Sequence, residues 1–425
     1  MRANTHIARV SALAAVTLML AAAPATAASP AITRQAVTAN AAFLAYAPTP
    51  PGRALALCLV DTGVNSTPDT APGLVSATAL DGGTGNDVDP LTHGTIDAAV
   101  AGGAGHGVLG AWPQLKIVSV RATDAPSPGQ SPSYQFDDYV NGIKACSREI
   151  PSATIAAIDL PLASKIPPTP DQADAFTAAV NQAQAKGISI LAAAGNATGP
   201  VQLPASQAGV FAVGAGDANH ATCPFSATTG LTFYAPGCGI DQINTAGETF
   251  CCGNGTSQAS AFAAGVLVAL RSYSPSTTPA RAVELLLSTT RNGHLDVVAA
   301  FRAAGLGAVV DAGMAAIPTP PAPPAAAQNP AATVGMPAAK VRPVPRPSVK
   351  RATWRRGVLE ITLKSIAKGA MLHAKVTFAH RKALHLTTTH LRLRARTPAP
   401  KRLTMRLLRD GAASATVPVK VSRPR

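Results

Sequence analysis

Aromatic side chains are scarce in this sequence, 4% of 425 residues, although 47% of the chain is hydrophobic. Alanine, glycine and proline are abundant instead. The apolar material is enough for a sizeable core, but one packed from small side chains; core shape and codon bias are equally good reasons for that composition. Long apolar runs are lacking beyond the N-terminus. No later segment approaches the roughly 18–20 residues that cross a bilayer, so no spanning helix is expected there. Cysteine is limited to six, with no CxxC pair and no Cys/His spacing that would hold zinc. No acidic cluster reads as a calcium site, no metal is expected, and nothing calls for an organic cofactor.

What is present begins with a secretory signal. Arg2 and Arg9 flank the start of an apolar stretch from Val10 to Ala23, and Ala25-Thr26-Ala27 supplies the small residues of a cleavage site. A signal peptide over 1–27 and a secreted, extracellular protein follow, with a short N-terminal segment over 28–53. In an exported chain an even cysteine count reads as disulfides. Cys223 and Cys238 flank the Thr228-Thr229-Gly230 turn and are expected to pair, and Cys58 with Cys146 would join a strand to a helix. Cys251 and Cys252 are then left over. Neighbours rarely bridge each other, so the pairing stays open.

Charge is unevenly spread. Residues 340–425 carry 22 Lys+Arg and 2 Asp+Glu, whereas residues 1–339 carry 14 and 19. Between the two compositions lies a Pro- and Ala-rich stretch, 317–349, which reads as an extended linker. Beyond it, strand-like runs at 358–364, 375–380, 384–395, 402–408 and 413–421 imply a small, basic, all-β module over 350–425. Alternation such as His390-Leu391-Arg392-Leu393-Arg394 puts cations on one face. Anionic cell-wall or membrane surfaces are the expected partners. Specific nucleic-acid binding is not expected, because Trp354 and Phe378 are the only aromatics there and form no stacking platform.

Residues 54–316 read differently again. Apolar runs at 54–60, 116–122, 154–162, 187–195 and 210–216 alternate with helical patterns at 134–149 and 171–187, the second closed by Lys186-Gly187. That alternation means an α/β domain with a buried, largely parallel sheet. Four clusters sit at strand ends or helix starts: Asp61-Thr62-Gly63, Thr92-His93-Gly94-Thr95, Gly195-Asn196 and Asn254-Gly255-Thr256-Ser257. Singly, each is an ordinary turn former, core histidine, loop residue or cap. Together they supply a hydroxyl nucleophile, a base to activate it, a carboxylate to orient the base, and an amide donor for an oxyanion.

The runs LCLVDTGVN, HGTIDAAVAG with GVLGAWPQLKIVSVRA, ISILAAAGNATGP, FAVGAGDANH and NGTSQASAFAAG resemble, in that order, those of the subtilisin-like serine peptidases, the subtilases, over about residues 54–305. The resemblance implies a subtilisin-like parallel sheet flanked by helices and a secreted endopeptidase working through an acyl-enzyme. It makes Ser257 the nucleophile, His93 general base then acid, Asp61 the orienting carboxylate, and Asn196 an oxyanion donor with the Ser257 N–H. It places peptide or protein substrate along Leu160, Pro161, Leu162 and Ala163, and near Ala193 and Gly195.

The sequence also departs from the family pattern. Ala163 and Ser164 replace glycines, Ile96 a histidine, and Ala261-Phe262 a Pro-His pair, and 28–53 is too short for the usual inhibitory propeptide domain. The rival reading is a non-catalytic subtilase-like scaffold that binds anionic surfaces through its basic module. A lipase or esterase would want a G-x-S-x-G elbow and a Ser–Asp–His order, and the nucleophile here sits in GTSQA.

Overall fold

The computed structural model describes residues 32–124, 134–244 and 247–318 in full, and the backbone of strand segments between 348 and 419. The expected signal peptide and nearly all of the expected linker lie outside the described residues. The chain divides into two compact units, one ending at Ala322 and one starting at Pro323.

In the first unit the short N-terminal segment forms two helices, α1 (Arg34–Thr38) and α2 (Phe43–Tyr46). Then come β1 (Ala56–Asp61), β2 (Leu74–Ala79), α3 (His93–Gly102), β3 (Lys116–Arg121), α4 (Phe136–Cys146), β4 (Ile155–Leu160), α5 (Pro170–Ala185), β5 (Ser189–Ala193), β6 (Phe211–Gly216) and β7 (Phe233–Pro236). A hairpin, β8 (Cys238–Ile243) and β9 (Thr249–Asn254), leads into the long α6 (Thr256–Tyr273), then α7 (Pro279–Ser288), α8 (Val297–Ala303) and α9 (Gly307–Ala316). Among the described residues no helix is long and apolar enough to cross a membrane.

Seven strands form one parallel sheet in the order β2-β3-β1-β4-β5-β6-β7. Every residue of β1, β4 and β5 is buried, as continuous apolar runs flanked on both faces demand. The helices fall on two faces. One core joins α3 and α6 with α2, α7, α8 and the far side of the sheet; the other joins α4 and α5 to the opposite side. Because β3 and β4 lie on either side of β1, the winding reverses there, which opens a crevice at its carboxyl end.

Local chemistry sets the helix starts. At α5, Thr169 accepts the Gln172 N–H (3.3 Å), the Gln172 side chain accepts the Thr169 N–H (3.0 Å), and Pro170 opens the first turn. The N-terminal segment is not a loose leader. Phe43 is fully buried and meets Phe301 edge-on at 5.2 Å, Asn40 donates to Asp296, and Arg34 pairs with Asp241.

Disulfides join Cys58 to Cys146 and Cys223 to Cys238. The expectation that Cys251 and Cys252 would not bridge each other is corrected: they are joined to each other on β9. The other four cysteines are already paired, so neither has another partner.

The second unit is described by strand backbone alone: β10 (Ser348–Arg355), β11 (Val358–Ser365), β12 (Met371–Thr377), β13 (Leu384–Thr388), β14 (Leu391–Arg394), β15 (Arg402–Arg409), β16 (Ala412–Ala413) and β17 (Val417–Val419). Their pairings are antiparallel, β10-β11-β14 in one sheet and β13-β12-β15-β16 in another, with β17 on β15. The run expected as one strand over 384–395 divides into β13 and β14, which belong to different sheets. β10 starts two residues inside the stretch assigned to the linker.

Candidate active site

Asp61 is the last residue of β1, fully buried at the crevice. Its Oδ1 accepts the Thr62 N–H at 2.6 Å, and its two oxygens receive His93 Nδ1 at 2.9 and 3.2 Å. A carboxylate only accepts, so Nδ1 carries the hydrogen and Nε2 is left as the basic nitrogen. His93 opens α3, with its side chain 26% exposed.

That helix start is held by a small acidic loop. Asp87 accepts from Thr62 Oγ1 (2.8 Å) and from the Thr95 N–H and hydroxyl (2.8 and 2.7 Å), while Asp89 accepts the His93 N–H at 3.2 Å. Carboxylates at a helix N-terminus also meet its positive dipole end. Thr92, just before His93, sits at φ 53°, a left-handed conformation that is costly for a β-branched residue. Close approach explains Gly94: a Cβ there would run into the Gly63 carbonyl oxygen.

Ser257 lies in the first turn of α6, buried, where backbone N–H groups have no intrahelical acceptor. Its hydroxyl donates to the Pro161 carbonyl oxygen at 2.9 Å and not to His93. Asn196 follows β5, and its Oδ1 accepts both the N–H and the hydroxyl of Thr256, each at 2.9 Å. Thr256 Oγ1 in turn accepts the Gly195 N–H at 3.1 Å. Asn196 itself is exposed.

Two further carboxyls crowd this corner. Asp97 on α3 puts Oδ2 3.6 Å from His93 Nδ1, and Asp159 lies on β4; both are fully buried. Burial lowers the pKa of His93, but the charges of Asp61 and Asp97 more than offset this and push it up to about 10. Burial, reinforced by neighbouring carboxyls, raises Asp97 and Asp159 well above the usual carboxylate range. Among the described residues, Asp61, His93 and Asp97 form the only His/Asp cluster tight enough for a cation. Within that cluster Asp61 and His93 are joined by a hydrogen bond.

The expected substrate segment divides. Leu160 and Ala193 are the last residues of β4 and β5, and both side chains are fully buried. Past β4, the Leu162 carbonyl accepts from the Tyr139 hydroxyl at 2.7 Å, the Ala163 carbonyl from Tyr134, and Ser164 pairs with Leu203 through two backbone bonds of 2.8 and 3.1 Å. Pro161 and Gly195 border the Ser257 and Asn196 side of the crevice through these contacts. Sequence reasoning overlooked Thr256, Asp87, Asp97, Asp159 and Gln258. Thr256 was within the quoted NGTSQAS motif, whereas a helical Asp97 is indistinguishable from a solvent-facing one.

A parallel α/β sheet with an Asp–His pair and a helix-opening serine at its carboxyl edge is the architecture of a class of serine peptidases. The subtilase family model matches residues 52–307, and the chain belongs to that family. It is 28% identical over 229 residues to M-protease of Shouchella clausii (53% of this chain, 56% of that protein) and to subtilisin Savinase of Lederbergia lenta (53% and 79%). The match thus spans little more than half of the full length of M-protease. In fold it is similar to proteases from Pseudoalteromonas arctica (TM-score 0.55, 21% identity, covering 65% of this chain and 99% of that one). It is similar also to MycP1 with its N-terminal propeptide removed (TM-score 0.52, 22% identity, 64% and 96%).

Proposed function

We propose that this protein is a secreted serine endopeptidase in which Ser257, His93 and Asp61 act in sequence on a peptide bond. The observation that carries this reading is the Asp61–His93 hydrogen bond, which fixes the tautomer with Nε2 free. Ser257 Oγ turns from Pro161 to His93, gives its proton to Nε2 and attacks the peptide carbonyl carbon. Asn196 Nδ2 and the Ser257 N–H receive the oxyanion. His93 then protonates the departing amine. Water, deprotonated by the same nitrogen, hydrolyses the acyl-enzyme and restores the serine.

The non-catalytic scaffold draws on one observation, the Ser257 hydroxyl engaged by Pro161. Hydrogen bonds of free enzymes are often misaligned before substrate arrives, so this contact is compatible with catalysis. Mass-spectrometric reading of a mixed peptide library separates the two. Cleavage by the purified protein, loss of cleavage in Ser257→Ala, and covalent labelling of Ser257 by a serine-directed acylating reagent are the expected results. An uncleaved library with unlabelled Ser257 leaves the scaffold.

The basic C-terminal region is proposed as a tether to an anionic wall or membrane surface, supported by the charge of residues 340–425. A chain ending near Ala316 should hydrolyse small peptides as before but lose salt-sensitive retention on such surfaces. Equal retention of both chains would remove the tether.

A further inference from the structure

Two buried carboxyls, Asp61 and Asp97, meet one imidazole at the start of α3, and a third, Asp159, lies near enough to feel their charges. Asp61 comes from β1, Asp97 from α3 one turn beyond His93, and Asp159 from β4; none has exposed surface. Asp87 and Asp89 face the cluster from the loop before α3, and Ser257 and Gln258 from α6. Tyr134 lies just before α4, near enough for the charge of Asp61 to bear on its hydroxyl.

The donors are unequally divided. Asp61 has the Thr62 N–H and the imidazole. Asp97 has one, the Gln258 side-chain amide on Oδ1 at 2.8 Å, and its Oδ2 has no partner. Yet Oδ2 is the oxygen beside His93 Nδ1, at 3.6 Å. The single hydrogen of Nδ1 is already given to Asp61. A buried, unpaired carboxylate oxygen next to a second carboxylate is unfavourable twice over, through desolvation and like-charge repulsion. One proton on Oδ2 relieves both, because a protonated carboxyl becomes a donor. Oδ1 is occupied by the Gln258 amide, so the proton belongs on Oδ2. Asp61 is the carboxylate beside it: its side chain is near enough to share a hydrogen bond with Asp97, a contact that itself raises Asp97.

We propose that Asp97 is a positioning residue for the base: it works as a neutral carboxylic acid, Oδ1 anchored by Gln258 and the Oδ2 proton directed at Asp61. Asp61 is then held from two sides, by Thr62 and by Asp97, and holds His93 in turn. Gln258 follows Ser257, so the same contact ties the nucleophile helix to the base helix. The electrostatics agree. Burial and the Asp61 charge raise Asp97. An imidazole pushed up to about 10 by two charged carboxylates would be protonated near neutral pH and unable to accept the Ser257 proton; a neutral Asp97 removes one of those charges.

This inference rests on the peptidase reading, and its test separates the two. The variants are Asp97→Asn, a neutral isostere that keeps an oxygen for Gln258 and an N–H for Asp61, and Asp97→Leu, which keeps neither. Asn should retain kcat within about threefold and leave the acid limb of the pH profile in place, whereas Leu should lose about 10–100-fold in kcat with KM nearly constant, the scale on which a misplaced reacting group acts. Infrared difference spectra at neutral pH should show a protonated-carboxyl carbonyl band that diminishes in Asp97→Asn, with or without activity. Equal kcat in Leu and Asn, an acid limb moved to lower pH in Asn, or an unchanged infrared band would each overturn the proposal. If Leu does not fold, the Asn profile and spectrum still decide. Absence of all cleavage by the wild type would sink the peptidase reading and leave the infrared test of Asp97 standing.

Discussion

Ser257 gives its hydroxyl hydrogen to the Pro161 carbonyl oxygen across 2.9 Å, from the first turn of α6 to the end of β4. In this state the Nε2 side of His93 carries no bond to the nucleophile. Ser257→Ala should therefore leave the NMR titration midpoint of His93 unchanged in the ligand-free protein. A clear shift would show that serine and imidazole are already coupled before substrate binds.

Thr256 fixes Asn196 through two bonds to one oxygen. Asn196→Ala should lower kcat by about 10²–10³-fold with little change in KM, the scale for losing one oxyanion donor. Thr256→Val removes the hydroxyl but keeps the N–H, so its kcat should fall less, by about tenfold, as expected of a donor that is loosened and not lost. Thr256→Ser should behave as wild type. Steady-state kinetics on one peptide ranks the three, and wild-type kcat in Asn196→Ala would take that residue out of the site.

Asp159 has no hydrogen-bond partner on either oxygen, and burial raises its pKa in the folded protein. The sign follows. Above the ordinary carboxylate value of about 4 the unfolded chain releases this proton while the folded chain keeps it, so stability falls as pH rises toward the raised folded pKa. Asp159→Asn removes that loss. The gain in thermal midpoint over wild type should be small near pH 4 and larger near pH 8, because the unfolded aspartate loses its proton at about pH 4. A gain that shrinks with rising pH would mean that Asp159 is folded as a stable anion.

The two long-range disulfides close loops of different size, with sequence separations of 88 and 15. In the chain-entropy model their removal costs about 4–5 and about 3 kcal/mol respectively. Denaturant titration of Cys58→Ala/Cys146→Ala and Cys223→Ala/Cys238→Ala should show the first pair to be the more damaging. The reverse order would be evidence that native packing, and not loop closure, sets their contributions.

Phe43 belongs to the segment before the sheet, yet it is fully buried against Phe301. Phe43→Ala should destabilise the first unit by about 3–5 kcal/mol, as for other buried aromatics. Cleavage after Arg53 should lower the thermal midpoint as well. An unaltered midpoint after cleavage would mark residues 32–53 as dispensable.

Much of the sheet could be read in advance because its inner strands are continuous apolar runs. Asp61, His93, Asn196 and Ser257 stood out because their motifs, at or just past strand ends and helix starts, fall together in one order. β2 was missed because it is a half-exposed strand of mixed polarity, and the β8–β9 hairpin because its polar turn and cysteines obscure any alternation. α1 and α2 are too short to leave a helical period. Asp97 and Asp159 escaped for a physical reason: hydrophobic patterning assigns a carboxylate to solvent, and only three-dimensional proximity shows that these two are buried beside an imidazole.

α6 is buried along almost its whole length and carries alanine, glycine and serine where it crosses α3 and the sheet. A Cβ on Gly265 would come within 2.7 Å of the Ala101 carbonyl oxygen and 3.2 Å of the Ala111 Cβ. Enlarging Gly265 therefore forces its neighbours to shift whatever the nucleotide composition of the gene, while the exposed faces of α5 and α7 are free to follow that composition. Codon bias and steric selection should then leave different marks in related genomes of lower GC content: alanine should decline on α5 and α7 and persist along α6.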